Sequence, residues 1–119
     1  MRVSSKKAKG RRLQDYTCKK IAEAIGLDCG PDKDVRPTIM GESGADVKLS
    51  PKARKLWPLP GIECKAQEAF SIWKAIEQAK AHDKDWIVVF KRNFTKPYVV
   101  VDADWFFDLI KIAKLERVV

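Results

Sequence analysis

With 119 residues, 45% of them apolar, the chain has material for one domain that buries roughly two-thirds of its unfolded surface, which excludes general disorder. Its formal net charge of +8 favours a polyanionic partner. Three cysteines, Cys18, Cys29 and Cys64, show no CxxC spacing, which argues against a disulfide framework or zinc site and for a reducing, cytoplasmic setting; no apolar run approaches the roughly 20 residues that span a bilayer, and the charged N-terminus is not followed by the apolar stretch of a secretory signal.

Arg2, Lys6, Lys7, Lys9, Arg11 and Arg12 all precede the first acid, Asp15. Residues 1–9 read as a basic arm, either solvated or phosphate-binding, ahead of a folded unit over 10–119. Phosphate contacts from such an arm make affinity fall steeply with salt. From Gly10 to Ile25, the residues Leu13, Thr17, Ile21, Ala24 and Ile25 recur at three- and four-residue steps and predict a helix that Gly26 stops. Asp28 to Asp34, with Gly30 and Pro31, reads as a loop. Val35 to Met40 enters a strand in which Pro37 marks an edge or a bend.

Gly41 and Gly44 allow a tight turn before Asp46-Val47-Lys48-Leu49, and Ser50-Pro51 caps a short helical turn through Leu56. Pro58, Pro60 and Gly61 lead into Ile62-Glu63-Cys64-Lys65, which with Asp46–Leu49 reads as a hairpin with a long connection. A second amphipathic helix is predicted from Gln67 to about His82, with Phe70, Trp73, Ile76 and Ala79 along its stripe. Trp86–Phe90 and Tyr98–Val101 read as buried strands. Asp102 or Asp104 caps a last helix carrying Trp105, Phe106, Leu109, Ile110 and Ala113. The order α-β-β-β-α-β-β-α predicts an α/β fold, one central mixed sheet flanked by helices.

The residues that carry chemistry are Asp46, Glu63 and Lys65. Strand alternation sends Glu63 and Lys65 to one side and Ile62 and Cys64 to the other, toward the core. If the strand before pairs with this one, Asp46 meets Glu63 across the sheet. Two neighbouring carboxylates repel, and a hard divalent cation with oxygen ligands, magnesium above all, resolves the conflict. Lys65 is then a compact cation beside a scissile phosphate. The bland reading of the same spacing is a surface Glu/Lys pair with an unrelated loop acid.

A helix opened by K-x-K-G-R-R, then S-G-A-D-V, I-E-C-K and a helix carrying Trp73 and Gln78, resembles the PD-(D/E)xK nuclease superfamily, in particular its small Holliday-junction resolvase-like enzymes of phages and archaea. The resemblance spans about Lys6 to Ile110. It implies a restriction-endonuclease-like fold and a magnesium-dependent DNA endonuclease (manganese substituting). The reaction implied is direct water attack that leaves 5′-phosphate and 3′-hydroxyl ends. Asp46 and Glu63 match the metal-binding acids, with the Cys64 backbone carbonyl as a further ligand, and Lys65 matches the catalytic lysine. Where resolvase-like enzymes often carry an acid on the first helix, this chain has Gln14, with Asp15 beside it about 100° further round. A junction resolvase makes paired nicks, which implies a symmetric dimer. A nuclease for linear or damaged duplex DNA, and a nucleic-acid-binding module that keeps the fold without turnover, are the alternatives.

Lys6, Lys7, Lys9, Arg11 and Arg12 are candidate DNA contacts, as are Ser43, near Asp46, and Lys91, at the end of its strand. Glu42 and Ser43 either bind phosphate or only shape their turn, and Gln67 extends the face of Lys65 if the strand persists. Lys52, Arg54 and Lys55 form a second basic group and Lys91, Arg92 and Lys96 a third. His82, the one histidine, reads as a solvated helix end. Trp57, between prolines, is the tryptophan expected to be exposed, stacking on an unpaired base or meeting a second subunit.

Overall fold

The computed structural model describes residues 3–117. Helix α1 (Val3–Ile25) is followed by the short strands β1 (Val35–Pro37) and β2 (Val47–Leu49), the two-turn helix α2 (Pro51–Leu56) and strand β3 (Gly61–Ala66). Helix α3 (Ile72–His82), strands β4 (Trp86–Lys91) and β5 (Tyr98–Val100), and helix α4 (Ala103–Arg117) complete an α/β fold. The strands do not form one central sheet. β1 and β2 pair antiparallel as a separate ribbon, while β3, β4 and β5 form a mixed sheet in that order, with β3 parallel to β4 and β5 antiparallel to it.

The expected hairpin between Asp46–Leu49 and β3 is therefore replaced by pairing of β2 with β1. What joins the ribbon to the sheet is residue 46, whose amide donates to the Ile62 carbonyl at 2.9 Å. Pro37 sits at the end of β1, where a missing N–H costs no ladder bond. α2 forms as expected: Ser50 caps it by accepting from the Ala53 amide, and Pro51 occupies its first turn.

α1 starts seven residues before the expected Gly10, so the arm residues from Val3 onward are helical; Arg2 lies outside the described residues. Its buried stripe is Leu13, Thr17, Cys18, Ile21 and Ala22, whereas Ala24 is exposed. The helix ends where Gly26 takes a φ of +71° and the Leu27 amide reaches back to the Ala22 carbonyl at 3.0 Å, a Schellman closure.

Strand alternation sorts the sheet into two cores. Ile62, Ile87 and Val89 pack with Cys64 against α1 and the ribbon. Trp86 and Val88 pack against Ala75 and Ala79 of α3 on the opposite face. Glu63, in register with Val88, therefore points to the α3 side. α3 begins at Ile72 rather than Gln67, with Ser71 as its cap, and buries Ala75 and Ala79. Small residues let it lie close to the sheet, so Trp73, expected on the buried stripe, is 77% exposed instead. β5 is an edge strand with Tyr98 and Val99 exposed, contrary to its buried reading. Asp102 caps α4 by accepting from the Trp105 amide at 3.0 Å.

Gly61 fixes the distance between α3 and β3. A Cβ at this position would sit 2.7 Å from the Ala79 carbonyl oxygen and 3.0 Å from that of Asp83, both backbone atoms that cannot step aside. Gly61→Ala is expected to cost about 1–3 kcal/mol in urea unfolding, as overpacking does, and to displace the last turn of α3, which ends at His82.

Candidate active site

Glu63 is the one strand carboxylate driven into the protein, only 8% exposed. Its two oxygens are engaged by different side chains: Oε2 lies 3.3 Å from Lys65 Nζ, and Oε1 lies 3.0 Å from His82 Nε2. Lys65 arrives by strand alternation, two residues on along β3. His82 arrives by topology: α3 runs back over the sheet between two parallel strands, so its last turn returns to the start of β3. Gly61, adjoining, permits that approach.

Asp46 completes the cluster from the edge of the sheet. Its Oδ2 accepts from the Cys64 amide at 2.7 Å, while Oδ1 makes no hydrogen bond among the described residues. Burial pushes its carboxyl above the ordinary value of 3.8; the Cys64 N–H pulls it back, nearby Glu63 raises it further, and Lys65 and His82 oppose the rise. Asp46 and Glu63 thus lie within each other's electrostatic reach, as expected.

The Cys64 thiol is held up at about 12, chiefly by burial, and lies 3.6 Å from Thr17 Oγ1. The side chain packs with the main core on the α1 side, away from Glu63 and Lys65. The backbone is the available donor. In an extended strand the N–H and C=O of one residue leave on the same edge, so the Cys64 carbonyl departs on the side where its N–H meets Asp46. Among the described residues no group of three or more His, Cys, Asp or Glu side chains stands in a metal-binding arrangement. The donors at hand are the uncommitted Asp46 oxygen, Glu63 and that carbonyl. All are hard oxygens suited to magnesium, and a cation that takes a Glu63 oxygen must share it with Lys65 or His82.

Gln14 and Asp15 both border a cleft of about 520 Å³ with Asp46, so the 100° between them does not turn either away. Lys7 and Arg11 border the same cleft. Lys6 and Lys9 border a second cleft beside Cys64, and Lys9, Arg12 and Lys91 a third beyond the end of β4. Five of the predicted basic contacts thus lie on one helix, α1, which packs on the Cys64 face of β3 and borders the Asp46 cleft.

Ser43 lies in the loop before Asp46 but does not border its cleft, and its carbonyl accepts from Lys48 Nζ. Glu42 is clamped by Arg36 through two bonds of 2.7 and 3.0 Å, which holds its carboxyl down at about 2, so it shapes the turn. Gln67 lies one residue past the end of β3 and borders the Cys64 cleft. Trp57 packs against the main core, with its Nε1 donating to the Leu59 carbonyl at 2.9 Å, and is not the exposed tryptophan. The residue that sequence reasoning passed over is His82. Its signal was indirect, a predicted helix ending in His between two stretches that read as strands.

Comparison of the chain with protein-family models, with curated proteins and with solved structures returns no match. Among the described residues no helix is long and apolar enough to cross a membrane.

Proposed function

We propose that this protein is a divalent-metal-dependent DNA endonuclease of the PD-(D/E)xK type, acting on branched DNA such as a four-way junction. The observation that carries the reading is the convergence of Asp46, Glu63 and Lys65 at one edge of β3, beside a helix whose exposed cations line the adjoining clefts. Basic residues along one helix bind a phosphate backbone by charge, and the acid cluster supplies a reason for the phosphate to be there.

Asp46, Glu63 and the Cys64 carbonyl would hold the cation; when bound, magnesium or manganese supplies Lewis-acid stabilisation of a scissile phosphate and lowers the pKa of an attacking water. The protein's own groups do the positioning. The Cys64 amide fixes Asp46 through Oδ2, leaving Oδ1 outside that bond. Lys65 and His82 divide the oxygens of Glu63 between them, so the carboxylate is oriented before any ligand arrives. Lys65, compact and beside the acids, is placed to offset charge that develops on phosphorus. Gln14 borders the Asp46 side of the site, where its amide oxygen can accept from a water.

One observation favours a second reading, a binding module without turnover: both Glu63 oxygens are already engaged, and Gln14 stands in place of an acid. Labelled four-way junction, flap, duplex and single strand, each with and without magnesium or manganese, separate the two. Wild-type protein is expected to nick the junction symmetrically, and Glu63→Ala and Lys65→Ala each to lose at least about 100-fold in rate, as removal of a transition-state charge partner does. Tight binding with no cuts under either metal would establish the module, and cuts that persist in both variants would move the active centre elsewhere.

A further inference from the structure

We infer that Phe94 is a stacking platform for an unpaired base, and that the cleft beneath it holds the flanking phosphates of the same nucleic-acid strand. The inference rests on the nucleic-acid reading above and extends it to a residue outside the acid cluster. Phe94 occupies the turn between β4 and β5. Its relative exposure of 104% is that of a side chain touching nothing, and its φ of +64° makes it the one non-glycine residue in the left-handed region among those described. A bulky residue is an outlier there, where glycine or asparagine is relaxed. Asn93 is the adjacent residue, yet the strained position is given to the aromatic. Strain held in a fully exposed ring serves no packing, and such outliers gather where a ligand is met.

The turn that presents the ring is stiff. The Arg92 amide donates to Thr95 Oγ1 at 3.2 Å, the Thr95 amide to the Arg92 carbonyl at 3.3 Å, and the Asn93 amide to the Glu68 carboxylate at 2.8 Å. At the base of the hairpin, on its α3 side, Phe70, Phe90 and Tyr98 make tilted ring contacts with centroids 5.6 and 6.1 Å apart. Phe94 is thus held outward by a braced hairpin.

Its surroundings select the occupant. Phe94 rims a cleft of about 450 Å³ with Lys9, Arg12, Lys91 and Arg92, and a second aromatic, Tyr16, lines the same wall. Cations interleaved with aromatic faces describe a single-strand nucleic-acid groove: the charges follow the backbone and the rings receive bases. The groove leads to Asp46. Lys9, Ala66 and Asn93 border both this cleft and one of about 560 Å³ beside Cys64, and Gly10 borders both that one and the Asp46 cleft. A strand whose base rests on Phe94 therefore runs along α1 toward Asp46. An apolar protein partner would find four cations around the ring.

The test uses the full chain in EDTA, so that binding is read without cleavage. The probes are a single DNA strand carrying 2-aminopurine and the fully paired duplex of the same sequence. Wild type and Phe94→Trp are expected to quench the 2-aminopurine on binding; Phe94→Ala is expected to leave it bright. Phe94→Ala should bind the single strand about tenfold more weakly and the duplex within about twofold of wild type. Phe94→Asn, which relaxes the backbone, should melt no lower than wild type while sharing the binding defect. Unchanged quenching and affinity in Phe94→Ala would overturn the assignment, as would a wild type that prefers duplex. Magnesium-dependent nicking by wild type, measured separately, distinguishes the two proposals. A protein that cuts junctions with an indifferent Phe94 overturns only the platform, and one that quenches but never cuts overturns only the nuclease.

Discussion

Asp46→Asn is expected to abolish magnesium-dependent cleavage and, in metal-free buffer, to raise the melting temperature. The two effects share one cause. The carboxyl is pushed above its ordinary 3.8 chiefly because it is buried, with Glu63 adding to the rise. The fold therefore prefers the neutral form. The stability associated with this group is full below pH 3.8 and is lost as pH rises through the folded-state value, so at neutral pH an ionised Asp46 is a cost. Asparagine keeps an oxygen for the Cys64 amide and removes the charge. It also removes a cation ligand and with it several kcal/mol of transition-state stabilisation, about 1,000-fold or more in rate. Thermal unfolding from pH 3 to 8 checks the sign: the gap between Asp46→Asn and wild type should widen with pH. Magnesium should then raise the melting temperature of wild type and not that of the variant. A variant that melts lower than wild type at pH 7 would mean that the carboxylate is held by partners rather than merely tolerated.

Glu63 and Lys65 were legible in the sequence because strand alternation is strict: a three-residue triplet on a buried strand fixes which side chains share a face. Asp46 was placed correctly beside Glu63 for a reason that sequence periodicity does not contain. It arrives not by cross-strand pairing but as the residue that bridges two separate sheets, its amide bonded to Ile62 and its carboxylate to the Cys64 amide. Three-residue strands carry too little pattern to say which neighbour they choose. His82 was hidden for the same reason in reverse. Its role depends on the length and slant of α3 over the sheet, set by Gly61 and the alanines beneath it, and no local motif encodes that. Trp73 and Trp57 exchanged their expected places because a helix with alanine contacts needs no large residue on its buried stripe, while Trp57 has a backbone carbonyl within reach of its N–H.

We propose that the nuclease acts as a two-fold dimer, so that paired substitution of Phe107 and Ile110 by glutamate is expected to leave a folded monomer and to uncouple the two nicks on a four-way junction. α4 carries apolar residues around most of its circumference. Phe106, Phe107, Leu109, Ile110 and Ile112 are all exposed, Phe107 by 63%. A polar stripe of Asp104, Asp108 and Lys111 leaves the rest of the helix apolar, and an exposed patch of this kind on a monomer marks an interface. Beside it, β5 leaves one edge of the mixed sheet unpaired, with Tyr98 and Val99 exposed. An antiparallel edge strand and a neighbouring apolar helix are self-complementary about a two-fold axis: two β5 strands can pair and two α4 helices can close over them. Phe107 and Ile110 lie one turn apart on the same face, so charging both strikes one contact. Truncated central anchors cost about 2 kcal/mol or more each, so the dissociation constant should rise at least about 100-fold, as read by sedimentation. Circular dichroism should stay native, because the main core lies between α1 and the sheet and, among the described residues, takes only Trp105 and Val101 from this end of the chain. Nicks in the two opposed strands should then appear with independent kinetics rather than together. Wild-type protein that sediments as a monomer at tens of micromolar would sink the two-fold arrangement, and paired cuts would then require two separate binding events.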